Sequence, residues 1–559
     1  MVQELADAFG LQQAGRLDEA EAAYAKLLAK TPDDPVALIN AGALALSRND
    51  TATARDRFAR AVKVVPNNAI ARNNLGFVEL RAGDLRAALA SLDRAIALKP
   101  DYAQAHNNRG IVLTRLARRA EAVSAFERAL ACDPSLADAA VNLGDARADA
   151  GDADAAIDAY DAALASDPGR AAARFGRAFA TALRGDLDEA REMLEAIVKA
   201  HPRDPDAWQT LGAVCNWAWD HARAEAAFAR ALALDPERSA AAFGVASTLL
   251  ARGRYAEGFA AFERRTANPA DARYADVPVW DGGELDGTLL LRGEQGFGDI
   301  VQFARFIAPA RARVRRVIVL LDDYMASLAP LLATCAGVDR IVTQVQDLAQ
   351  EFPTARASLL SLPHLLRADI AALPGPIPYV DAASDAVAAW RARLAPKARP
   401  RVGLAWSVLA RDEHGFVTRH KSIPPAALAA FVRSADATFV TLQPGAAGDP
   451  ASFGQDAARI ADVRNDIRDF GDTAALIASL DLVISADTAV AHVAGALGAP
   501  AWLLDRFNSC WRWRLQADTT PWYPTMTIFR QARFGDWREP VARIAERLPA
   551  WWRERSNAA

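Results

Sequence analysis

A proline recurs every 34 residues through the first half of the chain, at Pro32, Pro66, Pro100, Pro134, Pro168, Pro202 and Pro236. A fixed period of this length marks stacked helical hairpins, each unable to bury its apolar face without its neighbours. Other positions keep the phase. Glycine stands early in the first helix at Gly42, Gly76, Gly110, Gly144 and Gly212, and again in the turn at Gly15, Gly83, Gly151, Gly185 and Gly253. The second helix carries Ala20, Ala54, Ala88, Ala122, Ala156, Ala190 and Ala224. Each is followed four residues later by a large side chain: Tyr24, Phe58, Leu92, Phe126, Tyr160, Leu194 and Phe228. Small residues let paired helices approach, the large side chain fills the groove between them, and the proline ends the second helix.

These positions resemble those of the tetratricopeptide family over roughly residues 1–265, as seven repeats and a truncated eighth marked by Gly253 and Phe262. Such arrays present a concave groove. Position six of each repeat should face it, and there the chain reads Asn40, Asn74, Asn108 and Asn142, then Gly176, Thr210 and Gly244. A side-chain amide is both donor and acceptor. A column of them can hold the backbone of an extended peptide without reading its side chains. The plainer account is asparagine tolerated on a polar helix face, although four in phase is a high count for a poor helix former. The column is similar to the asparagine ladder of the eukaryotic protein O-GlcNAc transferases.

The second half is different material, holding ten of the thirteen tryptophans from Trp280 onward. Apolar runs at 287–292, 316–321, 339–343 and 357–361 have helical runs between the earlier ones. After a proline-rich join at 395–400, further runs stand at 401–406, 437–442, 481–485 and 501–505. Alternating strands and helices predict parallel sheets, with ligands at the carboxyl ends of the strands. The expected divisions are the array (1–266), a connection (267–285), two α/β units (286–395 and 396–537) and a last helix (538–559). A net charge of −4 argues against a nucleic-acid partner held by bulk charge. Cys132, Cys215, Cys335 and Cys510 lie far apart, which gives no zinc spacing and fits a reducing compartment. With no leader pattern and no long apolar run, the expectation is a soluble, cytoplasmic protein without a membrane span.

Four stretches carry candidate chemistry. Gly293-Glu-Gln-Gly-Phe-Gly-Asp299 follows a strand and opens a helical run reaching about Ala310. Strand, glycine loop and helix bring backbone N–H groups to an anion or a sugar, but the spacing is neither the dinucleotide fingerprint nor a P-loop. Ser422, before Pro424-Pro425, reads as an N-cap that sets Lys421 beside a helix N-terminus, where a phosphate would bind. A plain cap with a solvated lysine is the alternative. Asp487-Thr488 end a strand and start a helix, with His492 one turn along the same face. Thr488 is placed to donate to a phosphate, and Asp487 to cap the helix or hold a sugar hydroxyl. Capping, and a satisfied core histidine, are the plain accounts. Trp511-Arg-Trp-Arg514, with Trp522-Tyr523, suits stacking on a sugar or base or packing over the sheet.

Taken with Ser361-Leu-Pro363 and Asp469-Phe-Gly-Asp-Thr-Ala474, these motifs make the stretch from about Trp280 to Trp537 resemble bacterial tetratricopeptide-linked glycosyltransferases related to the family 9 heptosyltransferases. The resemblance implies a GT-B fold of two Rossmann-like halves, a nucleotide-sugar donor in the C-terminal half, acceptor contacts from the N-terminal half, and no metal or cofactor. It implies Asp299 as the base, with Gln295, Gly296 and Gly298 as the acceptor loop. Lys421 matches the phosphate-binding lysine, and Asp487, Thr488 and His492 match the donor motif; Ser422 and Trp511 complete the expected donor side. Asp299 is also a plausible cap for its own helix. It is followed by Ile-Val-Gln-Phe rather than the family's apolar-histidine run, which puts a lipopolysaccharide core acceptor in doubt. The expectation is a protein O-glycosyltransferase whose repeats hold its protein acceptor. Flagellin is the first acceptor to test, and a CMP-nonulosonic acid the favoured donor, by resemblance. The alternatives are a repeat scaffold with an inactive transferase module and a glycan-building transferase.

Overall fold

The computed structural model describes residues 2–265, 274, 276–368, 377–394, 399–408, 421–513 and 517–558. Much of the 267–285 connection, most of the proline-rich join, and Arg419, His420 and Arg514 lie outside the described residues. The chain forms two compact units, Met1–Arg184 and Gly185–Ala559. Among the described residues no helix is long and apolar enough to cross a membrane.

The first unit holds eleven helices, from α1 (Val2–Gln13) to α11 (Ala171–Arg184). Aspartates such as Asp50, Asp84 and Asp152 start second helices by accepting a backbone N–H three residues on. The glycine column has the steric reason its spacing suggests. A Cβ on Gly110 would stand 2.4 Å from the Phe126 ring, and one on Gly144 or Gly176 would stand 2.6 or 2.3 Å from Tyr160. Turn glycines Gly15, Gly83 and Gly151 hold φ of +74°, +81° and +85°, and Asn49 and Ala117 take the same left-handed backbone where glycine is missing.

The second unit opens with the remaining repeat helices, α12 (Leu187–Ala200) to α16 (Tyr255–Phe262), and continues into two parallel sheets. The first sheet has β1 (Leu285–Arg292), β2 (Val314–Leu320), β3 (Arg340–Val342) and β4 (Ala355–Ser358), in the order β3-β2-β1-β4. The second has β5 (Arg401–Ala405), β6 (Thr438–Thr441), β7 (Ile460–Ala461), β8 (Leu482–Ala486), β9 (Ala501–Asp505) and β10 (Met526–Arg530), in the order β10-β9-β8-β5-β6-β7. Read from their first strands, both start 3-2-1-4, and the second completes the doubly wound 3-2-1-4-5-6 order. β8 and β9 are buried along their whole length, which is why they read as continuous apolar runs rather than alternating ones.

Phe259 and Phe262 of α16 are buried in the same core as Leu289, Leu291, Phe303 and Trp511. Phe259 meets Phe303 and Trp511 edge-on, at 6.1 and 6.0 Å. The end of the array is thus part of the α/β core rather than a separate domain joined at residue 267.

Two local expectations differ from the structure, and a third element is placed by it. The helix after the glycine loop stops at Ala304 (α17, Phe297–Ala304), and a separate short helix spans Ile307–Arg311. β7 and β10 extend the second sheet beyond the strands read from the sequence. The last helix, Arg538–Ala558, stays with the second sheet, where Ile544, Leu548 and Trp551 are buried with Trp502 and Phe529.

Candidate functional site

Every candidate site residue of the second unit follows the carboxyl end of a strand. The glycine loop follows β1, Lys421 follows β5, Asp487 and Thr488 follow β8, and the Trp511 segment follows β9. Within the loop, the Gly293 N–H donates to the Leu320 carbonyl at 2.9 Å. Gln295 has φ +65°. The N-cap of α17 is Gly296 rather than Asp299; Asp299 is the third residue of the helix, and its Oδ2 reaches back to accept the Gly296 N–H at 3.1 Å. Its other oxygen accepts from Arg512, which also donates to the buried Gln302 and lies 4.4 Å over the Trp511 ring. Arg512 was legible only as part of an aromatic-arginine motif, and the structure makes it the direct partner of Asp299.

The two sheets meet at Gly298. A Cβ there would stand 2.6 Å from His492 Cδ2 and 3.1 Å from Nε2, so only glycine lets α17 reach the Ala489–Ala496 helix. His492 is buried, with Nδ1 2.9 Å from the Tyr523 hydroxyl. Burial drives its pKa down to about 4, against the opposing pull of Asp487 and Asp299, so the imidazole is neutral at pH 7. Asp487 is also buried, and Lys421 Nζ lies 2.6 Å from its carboxylate. Burial disfavours that charge, but Lys421, together with the neighbouring His492 and Arg506, outweighs it and holds Asp487 well below the ordinary carboxylate range. Asp299, Arg512, His492, Asp487 and Lys421 therefore form one cluster.

Several candidate residues have other duties. Thr488 is the N-cap of its helix, accepting the Val490 N–H at 3.2 Å, and its hydroxyl also bonds Ser485. Asp487, expected to cap that helix or hold a sugar, instead pairs with Lys421. Ser422 is not the cap of the Pro425–Ser434 helix, whose N-cap is Pro424; its hydroxyl accepts the Val408 N–H at 2.9 Å. Trp511 is 4% exposed and Trp513, Trp522 and Tyr523 are fully buried, so these rings are core rather than an open stacking platform. Of the asparagine column only Asn108 is buried, and Asn142 is half-buried like Asn40 and Asn74. Asn108 donates to Asn73 at 2.9 Å, and Asn142 donates to Asn107 at 2.8 Å. These amides cross-link successive first helices.

Gln443 is a residue that the sequence reading missed. Its side-chain oxygen accepts both the Trp406 and Ser407 N–H groups at 2.8 Å and ties the end of β5 to the segment after β6. Its signal was a lone polar residue directly after an apolar strand. It stands beside a pocket of about 470 Å³ lined by Trp406, Ser422, Pro424, Ser452, Phe534 and Trp537. That volume suits a small-molecule ligand. A second pocket, of about 210 Å³, lies at the carboxyl ends of β1 and β4, where the strand order of the first sheet reverses. Among the described residues no group of three or more His, Cys, Asp or Glu side chains is placed to hold a metal ion.

Models described as tetratricopeptide repeat match residues 147–215 and, for a second such model, 8–69, 39–85, 78–137 and 220–272. The first half is a tetratricopeptide-repeat array. Protein FlbA of Caulobacter vibrioides is 30% identical over 341 residues, covering 55% of this chain and 54% of that protein. The chain thus spans about half the length of this curated relative. Among solved structures, MamA is 26% identical, covering 29% of this chain and 96% of that one, with a TM-score of 0.27. A tetratricopeptide repeat protein from Parabacteroides merdae is 21% identical, with coverage of 42% and 95% and a TM-score of 0.37. YrrB, described as a TPR protein with an unusual peptide-binding site, is 24% identical, with coverage of 33% and 95% and a TM-score of 0.29.

Proposed function

We propose that the protein is a GT-B-type protein O-glycosyltransferase that moves a sugar from a nucleotide donor to a Ser or Thr hydroxyl of a protein held by its repeats. The observation that carries the reading is the Gly298–His492 contact. It joins the loop after the first strand of one doubly wound sheet to the donor-motif helix of the other, and gathers Asp299, Arg512, Lys421 and Asp487 around one point. In this reading the nucleotide takes the pocket beside Trp406 and Gln443. The acceptor oxygen attacks the anomeric carbon and its proton passes to Asp299. The bond to the nucleotide phosphate breaks, and the electron pair leaves with the phosphate, whose charge Lys421 stabilises. Asp299 must first exchange Arg512 for the hydroxyl, and the released guanidinium then faces the donor's anion.

A protein partner is favoured because helical-repeat arrays present long concave binding surfaces. Flagellin and a CMP-nonulosonic acid remain the acceptor and donor to test first, on the family resemblance. Intact masses of flagellin from cells with and without the protein should differ by one or more sugar residues. An unchanged mass, with no thermal stabilisation by UDP, GDP, ADP or CMP compounds, would refute the transferase reading and leave a repeat scaffold. Transfer that survives deletion of residues 1–184 would point instead to a glycan-building enzyme.

A further inference from the structure

A buried ionic junction lies behind the glycine loop. Glu294 Oε1 accepts from Arg265 Nε at 2.8 Å, from Arg265 Nη2 at 2.6 Å and from the Ser358 hydroxyl. Arg265 Nη2 also donates to the Ser361 hydroxyl at 2.8 Å, and Ser361 donates to Glu263 Oε2 at 2.8 Å. Arg265 Nη1 closes the ring on Glu263 Oε1 at 2.9 Å. The Arg265 and Glu294 side chains are 11% and 9% exposed. Three segments meet on one carboxylate: the residues just past α16, the glycine loop, and the end of β4.

Glu294 is followed by Gln295, whose φ of +65° is a left-handed conformation that costs energy in a residue with a side chain. Gly296 comes next, with its N–H fixed to Asp299. The strained residue is thus clamped from both sides, by the junction and by the Asp299 carboxylate. Phe259 and Phe262 already bury α16 in the core, so the ion pair is not needed merely to attach it. We propose that Arg265 and Glu294 are positioning residues through which the last repeat sets the conformation of the glycine loop and the aim of Asp299. The proposal rests on the glycosyltransferase reading for its effect on turnover, but not for its effect on the loop. Arginine is required because only its planar fork meets one carboxylate and a serine hydroxyl together.

The test uses the full chain with Arg265→Lys and Glu294→Gln, which keep the side chains close to their original size, and the far-ultraviolet circular dichroism of each is compared with the wild type. Hydrogen exchange in peptides covering 293–299 should quicken by roughly tenfold or more in both variants, the signature of a weakened local restraint. Peptides covering the Pro425–Ser434 helix should not change. With a CMP-, UDP-, GDP- or ADP-sugar that supports transfer, kcat should fall by a similar factor while the KM for the donor stays within about twofold. Unchanged loop exchange in both variants would overturn the proposal, as would a quickened loop with unchanged kcat. A wild-type chain that transfers no sugar would overturn only the transferase reading, and the exchange result would still decide whether the junction holds the loop.

Discussion

Replacing Phe259 with alanine empties a site enclosed by Phe303, Trp511 and the first sheet, although the residue belongs by sequence to a repeat. The side chain is 1% exposed. Truncating a fully buried phenylalanine costs about 3–5 kcal/mol, of which each lost edge-to-face contact contributes ~0.5–1.5 kcal/mol. With an unfolding entropy of about 2.1 cal/mol/K per residue, ~4 kcal/mol corresponds to a fall of ~5 °C in the midpoint of a unit the size of Gly185–Ala559. Tryptophan emission isolates that unit, because all thirteen tryptophans lie beyond Arg184. Phe126→Ala is the control, since Phe126 is 2% exposed and packs against Gly110 in the other unit. The Phe259 variant should lower the tryptophan-monitored midpoint and the Phe126 variant should not. A Phe259 variant with an unmoved tryptophan transition, or a Phe126 variant that moves it equally, would refute the assignment of α16 to the α/β core.

Gly298→Ala should cost about 1–3 kcal/mol by overpacking against His492. Adding His492→Ala should recover part of that loss, as a double-mutant cycle in urea would show. His492 titrates near 4 in the folded chain against about 6.5 when unfolded, so the unfolded state binds more protons between those values. Its contribution of up to about 3 kcal/mol should be complete above pH 6.5 and lost as pH falls toward 4. Urea midpoints at pH 7 and pH 5 should differ accordingly, and His492→Gln should flatten the difference. Lys421→Ala strands the buried Asp487 carboxylate and should cost about 3–5 kcal/mol, much of it recovered in Lys421→Met with Asp487→Asn, as denaturant midpoints would report. Gly10→Ala, with open space around its Cβ inside α1, should stabilise by about 0.5–1 kcal/mol. Gly110→Ala should destabilise by about 1–3 kcal/mol in the same circular-dichroism melt.

The repeat was legible because its glycine and aromatic columns answer one steric demand, repeated at a fixed spacing. The partners of the asparagine column were hidden for a reason built into periodicity. Phase shows which residues share a helix face, but not that Asn73 and Asn107, one position earlier in the preceding repeat, lie within reach of Asn108 and Asn142. Ser422 illustrates a different gap. A serine before two prolines looks like a cap, yet its hydroxyl is drawn to the end of β5, a contact across fourteen residues that no local pattern encodes. The partners Arg512–Asp299 and Arg265–Glu294 are 213 and 29 residues apart in sequence, so each charge was visible and each pairing was not. The sheets were clearer, because buried parallel strands appear as apolar runs whatever their neighbours. β7 escaped because it is two residues long.

The division between Arg184 and Gly185 bears on how such chains diversify. Gly185 holds φ +104°, a left-handed backbone like that of Gly83 and Gly151, so the first residue of the second unit sits at a position that repeats in phase along the sequence. Recombination in front of that position could lengthen, shorten or replace the leading repeats while leaving Phe259, Phe262 and Arg265 in place. Lineages that share the α/β half should then inherit its last repeats with it and exchange the earlier ones freely. In an alignment of relatives, the boundary of shared ancestry would fall near residue 185 rather than at the end of the array.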